Sequence, residues 1–537
     1  MKKSLLFTFI FFIGFLSKLA AQEVYENQNA EIYNYLSRMA QKGIIDFEDH
    51  IRPLTRSYLN TCLDSVKAKK QQLSPIEKEE LAFYIQEYNS IIKSEIQLDN
   101  QVQFFKKDKV GRWRSMFAEN ANARIYVEPV FSGALVEGTH ISYKEQSAGF
   151  RFFGTAGKHF SYQFFANDVN LDGKGYDTTR LNSNQTGFVR KDTSKQKSLN
   201  FVEFRGSINY SFKNGNISFG QDHLLYGYGE NGRVVLSDKA PAFPFLRFDY
   251  SPFPWLRFNN THAWLNSKII DSSKTYGTGN EIFGGVRQIF IPKFMATHSI
   301  LIKAAKGLDI SAGESIIYSD RFDVGYLIPV MFFKLYDQMV NNSHIQAGSN
   351  EQLFFNISSR NQLKNTHLYS SVFIDEIRIS TIFDKTKSRN QLGYTIGAAI
   401  TDFPIKYLTF NAEYTGIKPF VYNNLIPAQT YTHQGYNLGD WMGSNADRLL
   451  FSIKYTPIAK LKLMVRYQAL RNGDKGSMVD QYLLASQPPF LFGNLMSRKE
   501  LYLQSSYELY NGLVFKAWYS KWSGNISSWS MGVNYGF

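Results

Sequence analysis

The last twelve residues, 526–537, constrain the fold more than any other stretch. Trp529, Met531, Val533, Tyr535 and Phe537 fall on one face, and Ser528, Ser530, Gly532, Asn534 and Gly536 on the other. A strict period of two, apolar on one side and small or polar on the other, predicts a β-strand whose apolar face must be covered. A dry sandwich core covers such a face, and so does hydrocarbon. In hydrocarbon each unpaired backbone N–H or C=O costs several kcal/mol, so a strand placed there needs partners on both edges. The preceding strand supplies one. The other must be the first strand of a closed ring, near Ala123.

Other features favour the ring. Residues 1–21 carry Lys2 and Lys3, an apolar run from Leu5 to Leu16, then Ala20 and Ala21. This is the pattern of a secretory signal peptide, with a run too short to span a bilayer. The absence of a Cys directly after it excludes lipoprotein anchoring there. No later apolar run reaches the ~18 residues of a membrane helix, yet the chain holds 33 Tyr and 45 Phe. Many aromatics without spanning helices suit a β-barrel with two aromatic girdles. An apolar final strand ending in Phe also resembles the closing strand of an outer-membrane barrel, whose terminal aromatic is an assembly signal. Membrane lipid and the barrel-assembly machinery are the partners this implies.

Beyond residue 21 there are 57 basic and 46 acidic residues, a balance of +11. A basic balance fits nucleic acid, an anionic membrane surface or an anionic ligand, and export argues against nucleic acid. The single Cys62 excludes an internal disulfide and reads as a buried structural thiol.

Residues 22–100 are helical in pattern. Ile32, Tyr35, Leu36 and Met39 recur at helical spacing, with Gly43 placed to stop that helix. Pro53 is expected to open a second helix through Tyr58, Cys62 and Val66. Ser74, Pro75 and Glu77 form a capping box for a third. This predicts a small helical bundle on the periplasmic side, followed by a linker at 101–122. From 123 to 537 the pattern is alternation broken by Gly, Asn, Asp and Ser. Val202, Phe204, Ile208, Tyr210 and Phe212 alternate with Glu203, Arg205, Ser207, Asn209 and Ser211. Charges confined to one face suit a wet lumen, because Arg or Lys on the lipid face at mid-membrane costs ~2–4 kcal/mol.

Eighteen strands are predicted, among them 124–131, 147–156, 281–292 and 296–305. Connections are short at the periplasmic end and long at the outer end, the stretch 223–254 being read as one long outer loop. Two break the rule: 268–280 is too long for a turn and 293–295 too short for a loop. The expected fold is thus mainly β: a transmembrane, antiparallel, up-and-down barrel of about eighteen strands with a small N-terminal α-helical bundle.

Chemistry-bearing motifs are few. Gly227, Gly229 and Gly232 have the GxGxxG spacing of dinucleotide loops but lack the βαβ context. Asp168, Asn170, Asp172 and Gly173 match the first half of a calcium loop, though Thr179 stands where the closing Glu belongs. They are a calcium candidate, against an Asx-rich turn. No GxSxG elbow, P-loop or HExxH string occurs, so an enzyme is not expected. The densest stretch of unusual residues holds His223, Tyr226, Tyr228, Glu230, Arg233, Asp238 and Arg247. With Trp441, these are the polysaccharide-binding candidates, because sugars stack on aromatic faces while Asp, Glu and Arg hydrogen-bond hydroxyls and carboxylates. The alternative is an aromatic girdle with a loop packed into the barrel mouth.

Several strings in this region resemble the capsule assembly Wzi family: GQDHLLYGYGENGRVVLSDKAPAFPFLRF from Gly220, YLIPVMFFK from Tyr326 to Lys334, and HQGYNLGDWMGSNADRLLFSIKYTP from His433 to Pro457. GIIDFEDHIRPLTR, Gly43 to Arg56, is similar to the N-terminal segment of its Bacteroidota members. The resemblance implies an eighteen-stranded outer-membrane barrel with a periplasmic helical bundle. It also implies a role as a lectin that tethers exported capsular polysaccharide or exopolysaccharide to the cell surface. An oligosaccharide diffusion porin is the alternative. Against it, the apolar run Tyr326–Phe333 is expected to fill the mouth rather than line water.

Overall fold

The computed structural model describes residues 23–88, 102–108, 111–120, 122–190, 198–341, 348–376, 384, 390–480, 482–484, 486–510 and 512–536. The signal-peptide assignment and Phe537 lie outside them. Eighteen antiparallel strands close into one barrel. They are β1 Ala123–Gly138, β2 Ile141–Ala156, β3 Phe160–Lys174, β4 Ser198–Phe212, β5 Gly215–Asp222, β6 Phe243–Phe253, β7 Leu256–Ile270, β8 Phe290–Ala305 and β9 Leu308–Ser319. The ring continues with β10 Asn350–Arg360, β11 Thr366–Glu376, β12 Gln391–Thr401, β13 Leu408–Ile417, β14 Ala446–Ile458, β15 Leu461–Gly473, β16 Leu495–Tyr510, β17 Leu513–Trp522 and β18 Ile526–Tyr535.

The seam is the one the alternation requires. β18 pairs with β17 on one edge and with β1 on the other, from Ser528 opposite Gly138 to Tyr535 opposite Phe131. The Phe131 and Tyr535 rings stack across it at 5.2 Å. Beyond the end of β18, the edge of β1 from Arg124 to Val127 takes Trp113–Glu119, which pairs in turn with Gln103–Lys107. The stretch expected to be a linker therefore holds a hairpin that continues the sheet. In β18, Trp529 and Met531 are 40% and 63% exposed while the intervening Ser530 is 4% exposed, so the apolar face points outward.

Two strand assignments are corrected. Residues 290–305 form one strand rather than parts of two, and Glu281–Phe283 is a 3-10 turn. Phe243–Phe253, read as loop, is a strand. The changes cancel in the count and restore short turns at one end, with long loops at the other apart from the tight turns 139–140 and 523–525. β6 escaped detection because its inward Phe243 and Phe245 are fully buried against loops folded into the lumen, so both faces are apolar there and alternation vanishes. The first hairpin is also longer than predicted: residues 132–146 continue β1 and β2 around a turn at Thr139 and His140.

The helices are α1 Ile32–Gln41, α2 Arg56–Ala68 and α3 Pro75–Tyr88, packed on Leu36, Met39, Leu59, Leu63, Val66 and Leu81. Gly43, at φ +71°, ends α1 in the left-handed conformation that closes helices, with the Ile44 N–H on the Met39 carbonyl at 3.0 Å. α2 opens at Arg56, capped by Thr55, and not at Pro53. The capping box at α3 is formed, with Ser74 N–H on Glu77 at 2.9 Å.

This helical unit plugs the end of the barrel that carries the short turns. Asp49 meets Arg360 of β10 at 2.6 Å, Glu48 meets Arg257 of β7 at 2.6 Å, and Tyr25 Oη lies 2.8 Å from Ser218 of β5. Three long loops fold in from the opposite end: 175–190, 223–242 and 418–445. They interlock through Tyr436 Oη on the Thr179 carbonyl at 2.8 Å, Gly187 N–H on Lys239 at 2.7 Å and Ser237 N–H on Leu438 at 2.8 Å. Plug and lid meet inside, where Ile51–Arg52 pairs with Leu225–Tyr226. Between them the inward-facing Glu203 and Lys516 remain exposed, so part of the lumen is wet.

Residues 320–341 do not enter the mouth. β7, β8 and β9 point Ala263, Met295 and Ile317 into the luminal core, so Trp264, His298 and Tyr318 face outward by alternation. Tyr326 packs on Tyr318 at 4.4 Å and Phe333 on His298 at 4.5 Å. The apolar run expected to fill the mouth therefore lies on the outside of the wall.

Candidate functional site

The loop 223–242 is drawn inward by its own apolar run. Leu224, Val234, Val235 and Leu236 are all at most 2% exposed, packed with Phe243, Phe245 and Tyr422. Burying each such side chain favours this placement by ~1.5–3 kcal/mol. The polar residues of the loop then face the N-terminal unit across two adjoining cavities of about 160 and 330 Å³. Tyr33, Asn34, Arg52, Glu230, Arg233 and Lys454 line both.

The carboxylate of Glu230 pairs with Lys454 at 2.7 Å and accepts from Asn411 at 3.3 Å, while its N–H donates to Glu413 at 2.8 Å. Arg233 is 6% exposed and donates to the carbonyls of Gly227 at 2.5 Å and His50 at 3.5 Å. Burial, together with the neighbouring Arg52 charge, brings its guanidinium down to about 10, so it stays cationic at neutral pH. Trp441 donates from Nε1 to the Asn231 carbonyl at 2.7 Å and lines the larger cavity. The Arg448 and Arg498 guanidiniums lie 5.7 and 5.8 Å from its ring, and Arg498 also lies 5.2 Å from Trp522 at the loop end. Asp440 holds Arg448 through two hydrogen bonds of 2.9 and 3.1 Å.

Of the sequence-predicted residues, Tyr228, Glu230, Arg233, Asp238 and Trp441 therefore gather around the two cavities. Tyr228 and Tyr369 stand 5.9 Å apart beside the smaller one. His223, Tyr226 and Arg247 are elsewhere and hold the framework. His223 Nδ1 lies 3.1 Å from the Ala240 carbonyl, Tyr226 bonds Asn259 and Thr261, and Arg247 pairs with Asp249 at 2.7 Å. Asp168, Asn170 and Asp172 stand on one face of β3, paired opposite Val202, Asn200 and Ser198. Alternate residues of a strand are ~6.6 Å apart, so these oxygens form a row and not the converging loop that calcium needs. Among the described residues no cluster of His, Cys, Asp and Glu is arranged to hold a metal ion.

Arg52, Tyr33, Lys454, Asn411 and Arg498 were not singled out from the sequence. Lys454 and Ser452 did carry a signal, as polar positions alternating with Phe451, Ile453 and Tyr455. Nothing comparable marks Arg52 or Tyr33, whose unit reads as lying outside the barrel.

No family model matches the chain, and no curated protein matches it in sequence. Solved structures do. One is Wzi from Escherichia coli, described as an outer-membrane protein involved in group 1 capsule assembly and a carbohydrate-binding β-barrel. It is 11% identical, with 96% of this chain and 100% of that one covered and a TM-score of 0.60. Others are OccD3 from Pseudomonas aeruginosa, 11% identical with 84% and 97% covered and a TM-score of 0.43, and the outer-membrane protein OprD from the same organism, 13% identical with 76% and 92% covered and a TM-score of 0.40. The chain has the fold of an outer-membrane β-barrel.

Proposed function

We propose that this protein is a non-conducting outer-membrane barrel that binds exported polysaccharide and retains it at the cell surface. It is a lectin, with no catalytic role. The observation that carries this reading is the double closure of the lumen. Three interlocked loops and their apolar core cover one end, and the helical unit fills the other, where a diffusion pore needs a continuous aqueous path. The resemblance to the Wzi family, and the carbohydrate binding described for the Escherichia coli protein of similar fold, support the choice of ligand. The short-turn end faces the periplasm, as in bacterial barrels generally, and the helical unit lies there.

Arg498 between Trp441 and Trp522 offers a cationic and aromatic platform at the loop end. The two adjoining cavities, with Glu230 and Arg233 on both, Tyr228 on the smaller and Trp441 on the larger, have the mixture that sugars favour. The larger cavity lies at the small end of the ~300–1,000 Å³ of ligand pockets, which suits one or two sugar units and not a strand of polymer. Retention therefore rests on many weak contacts along the chain.

Deletion of the gene should release polysaccharide into the medium without stopping its synthesis, and the purified barrel should be silent in planar bilayers. Undiminished cell-bound polymer together with steady open conductance would replace this reading with the porin. The wet strip beside Glu203 and Lys516 is what that alternative has in its favour.

A further inference from the structure

The outer wall of a membrane barrel should be apolar, yet β7, β8 and β9 turn Asn260, His262, His298 and Glu314 outward. In the sheet, Tyr210, Ile217, Phe248, Asn260, His298 and Glu314 form one row of paired residues across β4 to β9. The row begins among lipid-facing side chains, since Tyr210 and Ile217 are 40% and 41% exposed. Two residues from Asn260, His298 and Glu314 along their strands lie the apolar Phe258, Ile300 and Ala312. A bare carboxylate and imidazole in that position carry a heavy desolvation cost.

The loop 320–341 removes them from lipid. Glu314 is 2% exposed, accepts from the Lys334 N–H at 2.9 Å and lies 3.3 Å from His298. His262 is fully buried and bonds Tyr318 at 2.7 Å under the Phe322 ring. The loop satisfies its own acids internally, with Tyr326 Oη on Asp337 at 2.9 Å and Tyr336 Oη on Asp323 at 2.7 Å. Its other face is apolar and uncovered: Val324, Val330, Phe332, Leu335 and Met339 are 65, 84, 48, 56 and 81% exposed. In the helix Phe333–Asn341, Phe333 meets His298 of the wall and Tyr336 and Asp337 turn to Asp323 and Tyr326 of the loop beneath, while Leu335 and Met339, one turn apart, point away.

We infer that residues 321–339 form a lateral cover seated in the lipid bilayer, with acyl chains as the occupant of its outer face. Continuity decides for lipid. The exposed face of the loop carries the apolar belt across the one patch where the wall beneath is polar, joining Phe219 on β5 to Phe355 on β10. Lys334, its side chain 56% exposed, pairs with Glu351 at 3.2 Å, the place a flanking cation takes on an interfacial helix. The inference rests on the membrane reading above and adds that one outer loop lies in the membrane and not in the external medium.

Spin labels at Val330→Cys and Met339→Cys, in the full chain with Cys62→Ala and reconstituted in phosphatidylcholine vesicles, test it. Phe355→Cys serves as the lipid reference and Val479→Cys, 86% exposed in the loop 474–494, as the aqueous one. Collision with oxygen relative to a water-soluble nickel chelate should be severalfold higher at 330 and 339 than at 479, matching 355. Values matching 479 overturn the inference, as does a label shielded from both reagents, the result expected of a protein partner or second copy. If 355 also behaves as aqueous, the membrane reading itself has failed and the loop inference falls with it.

Discussion

Replacing Arg257 with Gln should loosen the helical plug by a predictable amount. Arg257 Nε lies 2.6 Å from Oε2 of Glu48, which is 3% exposed. Burial alone raises the Glu48 carboxyl, but the Arg257 charge, aided by His50, overrides it and holds the group at about 2, against its ordinary 4.5. A depression of that size corresponds to about 3 kcal/mol in favour of the charged, docked form. Because the folded value is lowered, the contribution is complete above pH ~4.5 and is lost as the pH falls toward ~2. Arg257→Gln removes it at neutral pH and should raise the undocked fraction on the order of 100-fold. Cleavage of the helical unit in reconstituted protein reads that fraction when undocking is fast relative to cutting. Thermolysin at pH 7 should cut the variant far faster than the wild type. Pepsin should find the wild-type plug progressively more open as the pH drops from 4.5 to 2. Equal cleavage of variant and wild type at pH 7 refutes the reasoning, since the ion pair then does not hold the plug.

Two further substitutions probe the seam and the lid. At Gly532 an added Cβ falls 2.7 Å from the Gly133 carbonyl oxygen and 2.8 Å from Ala134 Cβ. Gly532→Val should therefore obstruct closure, at ~1–3 kcal/mol, and lower the yield of heat-modifiable barrel on gels. Arg448→Met leaves Asp440 buried without its cation, at ~3–5 kcal/mol, and should admit conductance in a planar bilayer where the wild type is silent.

Legibility followed the solvent. Where a strand has lipid on one side and water or small polar groups on the other, as in β4 and β18, its period of two stands out in the sequence. Where the lumen is dry the contrast disappears, and Phe243–Phe253 was missed because Phe243 and Phe245 meet Leu224 and Val235 rather than water. The bundle helices were legible from Ser74, Glu77 and Gly43, which act within one turn. Their docking was not, because Glu48–Arg257 and Asp49–Arg360 join residues more than 200 positions apart and each partner alone resembles an ordinary surface charge. The segment 320–341 misled for a related reason: its apolar run faces the outer wall and leaves side chains toward the membrane, and one sequence cannot distinguish that from filling a mouth.

The same distinction bears on charge. The balance of +11 suggested an anionic ligand, but most of the buried arginines serve the architecture. Arg38 pairs with Glu80, Arg56 with Glu26, Arg151 with Glu128 and Arg466 with Glu500. Only the local balance at the pocket bears on the ligand. There Arg52 faces Asp49 at 2.5 Å and Lys454 faces Glu230 at 2.7 Å, while the hydrogen bonds of Arg233 go to backbone carbonyls. Lys239, on the larger cavity, likewise donates to the carbonyls of Arg180, Ser183 and Gln185. Of these two cations without a bonded carboxylate Arg233 lines both cavities, and a sugar carboxylate would complete it. A charge-assisted hydrogen bond of that kind contributes ~1.5–3 kcal/mol, so Arg233→Gln should weaken a glucuronate-containing oligosaccharide roughly 10- to 100-fold while changing a glucose oligosaccharide little. Calorimetry with the two sugars reads the difference directly. An equal loss for both would mean that Arg233 braces the loop at Gly227 and His50 and takes no part in choosing the ligand.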